Sequence, residues 1–372
     1  MHLFLILCAL GVNVAALAGY RSPELRVVTS SGSLNGIYNN SAQTVRAFLG
    51  IPYAEPPVNE LRWAPPHPKS PTRSPIDASS FSSPCPQVYR YSNESIWSIL
   101  PYMIWNSGDM SEDCLYMNIW APSIKHRDRE VHKAAVMMFI HGGSFDTGSS
   151  SVAYYDGTNL VQNHDDLIVI TFNYRLNVFG FPNAPDIDPS KQNLGLLDQV
   201  DRKYNPLVSA IALHSGTAPL LTSAPDHRNW NELSIAVGCG VGAQSFQCMK
   251  QLPAMKIVET RAQGNYTFFP IVDNVLVFSD HAARAEMGKL ARLPTLAGIT
   301  GREYSAFLPL SQTSLDETAI YVLGQQIFNC PLRESMRIRV DHQVPSWRYV
   351  YHGNFTNLSP LPWLGAYHGC KK

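Results

Sequence analysis

The sequence predicts an α/β fold, and three observations carry that prediction. The stretches "AAVMMFI" (134–140) and "LIVITFNY" (167–174) are apolar on both faces, the composition of strands inside a helix-covered sheet. The first runs directly into a glycine-rich loop, "HGGSFDTGSS", of the kind that turns a strand end toward a site. With 45% hydrophobic and 16% charged residues, a chain of 372 can bury one large core or two ordinary ones.

Taken in order, the chain opens with an apolar run from Leu3 to Ala18, ending in Ala16-Leu17-Ala18 before Gly19. That is a secretory signal at 1–18, and it places 19–372 in an extracellular, disulfide-permitting setting. Arg26 to Ile37 and Thr44 to Gly50 read as short strands divided by the turn residues "NNS". A proline-rich loop region from Pro52 to Pro86 follows, then "LYMNIWAP" with strand composition. The glycine-rich loop after 140 lacks both a Lys-Ser/Thr ending and a G-x-G-x-x-G helix opening, so phosphate binding is not its chemistry. At 196–208, "LLDQVDRKYNPLV" starts as a helix with an acid near its positive end, yet Asn205-Pro206 forbids continuation.

Lys plus Arg balances Asp plus Glu at 29 each, with no basic stripe, which excludes nucleic acid as a partner. No stretch after the leader approaches 18 consecutive apolar residues, so no membrane span is expected. Asn39, Asn93, Asn265, Asn354 and Asn357 each open an Asn-x-Ser/Thr triplet, the acceptor pattern of glycosylated surface loops. Removing the leader reduces seven cysteines to six. Cys239 and Cys248 are close enough in sequence to close a small loop. Cys85 with Cys114 would close one of about 30 residues, a constraint of roughly 3 to 4 kcal/mol on the chain-entropy model. Cys330 and Cys370 are left, either paired or separate. No Cys-x-x-Cys or clustered histidine pattern suggests zinc, and no cofactor is expected.

Several stretches together resemble a known family. "FLGIPYAEPPVNELRWAPP", "SEDCLYMNIWAPS", "MFIHGGSFDTGSS", "ITFNYRLNVFGF" and "NLGLLDQ" stand in the order and spacing of the type-B carboxylesterases, the cholinesterase-like branch of the α/β-hydrolases. "AIALHSGTA", "FFPIVDN", "LAGITGREYSAF", "FNCPL", "WRYVYHGNF" and "GAYHG" continue the likeness, which covers about residues 23 to 369 and is closest in look to secreted fungal members. The resemblance implies a central, mostly parallel sheet with helices on both faces. It also implies a Ser-Glu-His triad hydrolysing small-molecule carboxylic esters, with no oligomeric state implied. Residue by residue, Glu303 matches the triad acid and His368 the triad histidine. Gly143 and Ser144 match the backbone donors of the oxyanion hole, Ser144 replacing a glycine usual there. The disulfides Cys85–Cys114 and Cys239–Cys248 match, as do the ion pairs Arg62–Glu112 and Arg175–Asp198. Glu303 preceding His368 respects the chain order Ser, acid, His of this fold.

The nucleophile is what is missing. In the family "GLLDQ" continues through a helix and a strand into a sharp Gly-x-Ser-x-Gly turn and a second helix; here Gln199 passes through "VDRKY" into "NPLVSAIALHSG". Two helices of about 11 residues, a strand of about 5 and their connections amount to roughly 40 absent residues. No serine has glycine two residues away on both sides; Ser215 is flanked by Leu213 and Thr217. The expectation is therefore a single α/β-hydrolase domain at 19–372, deleted after 199, shortened at its C-terminus, and incomplete at the central strand, the elbow and the flanking helices. Such a chain lacks the serine for ester hydrolysis. A secreted non-catalytic binding relative, or the product of a mis-spliced or eroded gene, is the alternative.

Overall fold

The computed structural model describes residues 22–39, 42–88, 96–100, 110–124, 134–199, 208–218, 222–309, 314–359 and 361–370. The leader at 1–18, the Asn93 triplet and the junction from Val200 to Leu207 lie outside the described residues.

An N-terminal hairpin of β1 (Arg26–Thr29) and β2 (Gly32–Asn35) leads into β3 (Ile37–Asn39) and the long β4 (Ala42–Pro52). Then come β5 (Ile76–Asp77), β6 (Tyr116–Pro122), β7 (Ala135–Ile140), helix α1 (Thr158–Asn163), β8 (Leu167–Phe172), and the short helices α2 (Asn177–Gly180) and α3 (Leu194–Leu197). After the junction follow β9 (Ile211–His214), α4 (Arg228–Ala236), α5 (Ser245–Gln251), α6 (Ala254–Gln263), α7 (His281–Glu286) and β10 (Thr295–Thr300). The last elements are α8 (Glu317–Gly324), a π-helical turn Gln325–Asn329, α9 (Cys330–Asp341) and β11 (Ser346–Tyr351).

These strands form separate sheets. One has five strands in the order β3-β4-β6-β8-β7; a second has three in the order β11-β10-β9; the hairpin with β5 makes a third. The β9–β11 sheet is parallel throughout, and β7 pairs β8 in parallel. The β3–β4, β4–β6 and β6–β8 pairs are antiparallel, so the parallel character implied by the resemblance belongs to the strands around the site.

The five-stranded sheet and the β9–β11 sheet each have helix cover on one face. In the five-stranded sheet, Val45, Ala47, Trp120 and Val169 pack with Val161 of α1 into a buried cluster. The opposite face under β7 is bare: Val136, Met138 and Ile140 are 58, 52 and 45% exposed, in register with Ile168, Ile170 and Phe172 of β8. In the β9–β11 sheet, Ala297 and Ile299 pack on Phe328, Leu332 and Met336, while Leu296 and Trp347, paired in register on the other face, stay 44 and 57% exposed. The run "AAVMMFI" reads as a strand buried on both faces; in the structure it is an edge strand exposed along nearly its whole length. The side chains are those of an interior strand, but the neighbouring strand and the helices that would cover it are absent from the described residues.

A further core joins residues from both sides of the junction. Trp63, Phe179, Phe181, Trp230, Leu233, Met249 and Ile257 form a buried cluster under α4–α6. Trp63 stands edge-on to Trp230 at 4.9 Å between ring centroids. Its indole N–H donates to the Val178 carbonyl at 2.9 Å, so the ring's polar atom is satisfied inside the core.

Candidate active site

Glu303 stands just beyond β10, opening a 3-10 turn, and is 2% exposed. A carboxylate so deep requires partners, and it has them. Its Oε1 accepts the Thr300 N–H at 2.6 Å and also the Ser215 hydroxyl. Its Oε2 meets Nδ1 of His368 at 2.6 Å. Ser215 follows β9 with φ of +57°, held there by its N–H on the Gly298 carbonyl of β10 at 2.8 Å.

His368 comes from the other end of the chain. The Arg302 N–H donates to the Ala366 carbonyl at 3.0 Å, and a parallel bridge pairs Arg302 with Tyr367. This puts the "GAYHG" turn directly against the segment carrying Glu303. The turn is seated by a cluster that includes Ile96, Ala306, Leu364 and Tyr367. Phe307 and Phe328 flank the imidazole at 5.1 and 5.2 Å between ring centroids. A carboxylate on Nδ1 selects the tautomer with hydrogen on that nitrogen and leaves Nε2 as the basic atom. Nε2 has no hydrogen-bond partner among the described residues, and the side chain is 23% exposed. The pair therefore has the geometry of an oriented acid–histidine couple.

Gly143 and Ser144 begin the turn after β7. The carbonyl of Gly143 accepts the N–H groups of Asp146 and Thr147, each at 3.0 Å. A Cβ at Gly143 would stand 1.9 Å from the Thr147 carbonyl oxygen, with φ already at +116°, so only glycine fits. Ser144 and Phe145 continue at φ of +56° and +59°, a left-handed conformation costing roughly 1–2 kcal/mol per non-glycine residue. Ser144 thus takes the backbone that the usual glycine would take. The turn is held by the Asn177 N–H on the Phe145 carbonyl at 2.7 Å, and by Arg261, whose guanidinium forks onto the Asp146 carboxylate, one arm at 2.9 Å. The N–H groups of Gly143 and Ser144 donate to no group among the described residues.

The expected site is thus divided: the donor turn ends β7 of one sheet, and the acid–histidine pair ends the other sheet. Flanking locks are in place. Arg62 forks onto Glu112 with Nε–Oε1 at 2.7 Å, and its Nη1 donates to three carbonyls, those of Met249, Lys250 and Leu252. Arg175 forks onto Asp198 at 2.8 and 2.7 Å, both side chains almost wholly buried. Cys85 is bonded to Cys114 and Cys239 to Cys248; Cys330 is exposed and Cys370 buried, and they are not bonded to each other. The sequence reading did not place Ser215 on Glu303, and it did not find the Asp146–Arg261 pair; these contacts span 88 and 115 residues, beyond any local signal. Among the described residues no helix is long and apolar enough to cross a membrane.

Comparison with known proteins gives the family. The carboxylesterase family model matches residues 23–201. The chain is 33% identical to a chlorogenic acid esterase of Aspergillus niger, with 93% of this chain and 76% of that protein aligned. It is 29% identical to secreted lipase 5 of Gibberella zeae across 99% of this chain and 83% of that protein. A shorter match, 48% of this chain and 27% of the other, is 39% identical to an acetylcholinesterase of Electrophorus electricus. The chain belongs to the carboxylesterase family, with the α/β-hydrolase fold. The two fungal alignments run over 393 and 447 positions, more than the 372 residues available, so those relatives carry residues with no counterpart here.

Proposed function

We propose that this chain is an exported carboxylic-ester hydrolase relative that retains the oriented base and the oxyanion turn but cannot turn over an ester, because its nucleophile segment is absent. In the serine mechanism the hydroxyl attacks the ester carbonyl as its proton passes to Nε2 of the histidine; the acid, on Nδ1, steadies the resulting imidazolium. Glu303 and His368 suit the last two roles, and Gly143 and Ser144 suit the oxyanion. The observation that carries the reading is the partner of Ser215: its hydroxyl is spent on Glu303 Oε1, at the far end of the relay from Nε2. It does not occupy the nucleophile's position. Loss of a triad nucleophile costs roughly six orders of magnitude in turnover.

Of the two origins for such a chain, an interrupted gene product is favoured over a dedicated binding protein by the bare apolar faces beside β7 and β9. A binding protein that lost its serine by substitution keeps the strand and helices that cover those faces. In this reading 19–372 is one domain deleted after Gln199, and a form with the segment restored hydrolyses small-molecule carboxylic esters.

The test is direct. The purified chain is expected to hydrolyse p-nitrophenyl acetate and butyrate no faster than an unrelated protein, and to take no label from a fluorophosphonate probe. Stoichiometric labelling at a single serine overturns the proposal.

A further inference from the structure

We propose that Asn265 carries an N-linked glycan and that Asn39, which opens the same kind of triplet, does not. The inference rests on the export reading above and adds a modification site to it.

A glycan is joined through the asparagine Nδ2 and is bulky and hydrophilic, so the folded chain must leave that nitrogen facing water. At Asn39 the nitrogen is committed: it donates to Thr158 Oγ1 at 2.7 Å. Thr158 is buried and is the first residue of α1, the helix packed on β4, β6 and β8. The bond therefore ties the β3–β4 hairpin to the helix that covers it. A sugar on Asn39 would enter the seam between them and separate two elements of a buried cluster.

Asn265 is the opposite case. It lies two residues past the C-terminus of α6, with φ of +53°, in a closing turn where Asn265 N–H reaches the Ala262 carbonyl at 3.3 Å and Tyr266 N–H the Arg261 carbonyl at 3.1 Å. Asparagine is among the side chains that tolerate this left-handed backbone best. Asn265 and Thr267, the first and third residues of the triplet, are both exposed. The Asn265 amide makes no side-chain hydrogen bond among the described residues. The residues that α6 buries are Ile257, Val258, Arg261 and Ala262, all before the turn, so a glycan at 265 displaces none of them. The C-terminal triplets fall between these extremes: Asn354 Nδ2 donates to the Pro362 carbonyl at 3.3 Å, and Ser359, the third residue of the Asn357 triplet, is buried.

The experiment uses the full chain with its own leader in a eukaryotic secretory host. Secreted and cell-retained fractions are treated with peptide N-glycosidase in 18O-water and mapped by peptide mass. The expected result is 18O-labelled aspartate at 265 and unmodified asparagine at 39, with Asn265→Gln losing one glycan step on a gel and Asn39→Gln losing none. A chain whose leader has been removed but whose Asn265 is unlabelled overturns the proposal and leaves export standing. Label at Asn39 in soluble protein overturns the exclusion of that site. A chain that keeps its leader and carries no glycan overturns the export reading, and this inference with it. Mapping the unsubstituted chain decides the matter even where Asn265→Gln fails to fold.

Discussion

Placing lysines on the open face of β7 should convert this chain from a self-associating protein to a soluble monomer. Val136, Met138 and Ile140 lie on one face of an edge strand at 58, 52 and 45% exposure. Fully burying such a side chain is worth about 1.5–3 kcal/mol, so half-exposure leaves roughly 0.7–1.5 kcal/mol unrealised at each position. The three together hold about 2–4.5 kcal/mol of unspent apolar driving force. It sits at the edge of the sheet among the described residues, on a strand with no charge, proline or bulge to block another strand. Val136→Lys with Met138→Lys removes two of the three contributions and sets like charges against any copy that approaches edge to edge. In sedimentation velocity at about 10 μM, the parent chain is expected as a broad, fast distribution, and the double variant as a monomer peak with at least a several-fold higher soluble yield. Val28→Lys, at an 81% exposed but isolated apolar residue of β1, serves as control and should change nothing. A parent chain that is monomeric with a sharp thermal transition, or a double variant as aggregated as its parent, refutes the reasoning.

Three further outcomes are expected. In the lysine-bearing background, Asp198→Asn should cost about 3–5 kcal/mol in urea unfolding, because it leaves the buried Arg175 guanidinium without its carboxylate; a loss under 1 kcal/mol contradicts this. Burial alone would raise the Asp273 carboxyl, but hydrogen bonds from the Val277, Val275 and Leu276 N–H groups and from Asn193 outweigh it and hold the group below its ordinary value. A depressed folded pKa contributes stability above the unfolded pKa of about 3.9 that is lost as pH falls through the folded value, so Asp273→Asn should flatten the acid limb of the stability curve below about pH 4, read by urea midpoints. Inserting about 40 residues of a relative between Gln199 and Tyr204, with a C-terminal extension where needed, should restore ester turnover that His368→Ala abolishes and Glu303→Gln lowers strongly. Ser215→Ala in that enzyme should cost no more than about 1 kcal/mol, one hydrogen bond to the acid; abolition by Ser215→Ala but not by His368→Ala would reverse the assignment.

The parts of the site that were legible in the sequence are those with a local pattern. The strand-loop junction at Ile140 and Gly143 is visible as an apolar run meeting glycines, and the left-handed backbone from Gly143 to Phe145 explains why a glycine stands at its start. The Glu303–His368 pair is visible only through family motifs, since 65 residues separate the two and neither lies in a distinctive stretch. Ser215 on Glu303 and Arg261 on Asp146 depend on how distant elements dock, and composition carries no trace of that. The open face of β7 was misjudged at the level of the single strand for a related reason. Side-chain composition records the environment for which a strand was selected, whereas burial reports which neighbours are present now.

On the proposed reading, one absent segment accounts for both a chemical and a structural deficit. In an α/β-hydrolase sheet the nucleophile stands at the C-terminal end of an interior strand, so the residue that attacks the substrate is mounted on an element that pairs with a neighbour on each side. Substituting the serine alone removes an oxygen and leaves every sheet hydrogen bond in place. Deleting its strand and helices also leaves β7 and β9 as edges and uncovers Met138 and Trp347. The Trp63–Trp230 cluster and the Arg62–Glu112 lock, which join residues on both sides of the junction, remain buried. Activity and solubility should therefore return together when the segment is restored. The lysine substitutions, which repair only the exposed face, should return solubility and no turnover at all.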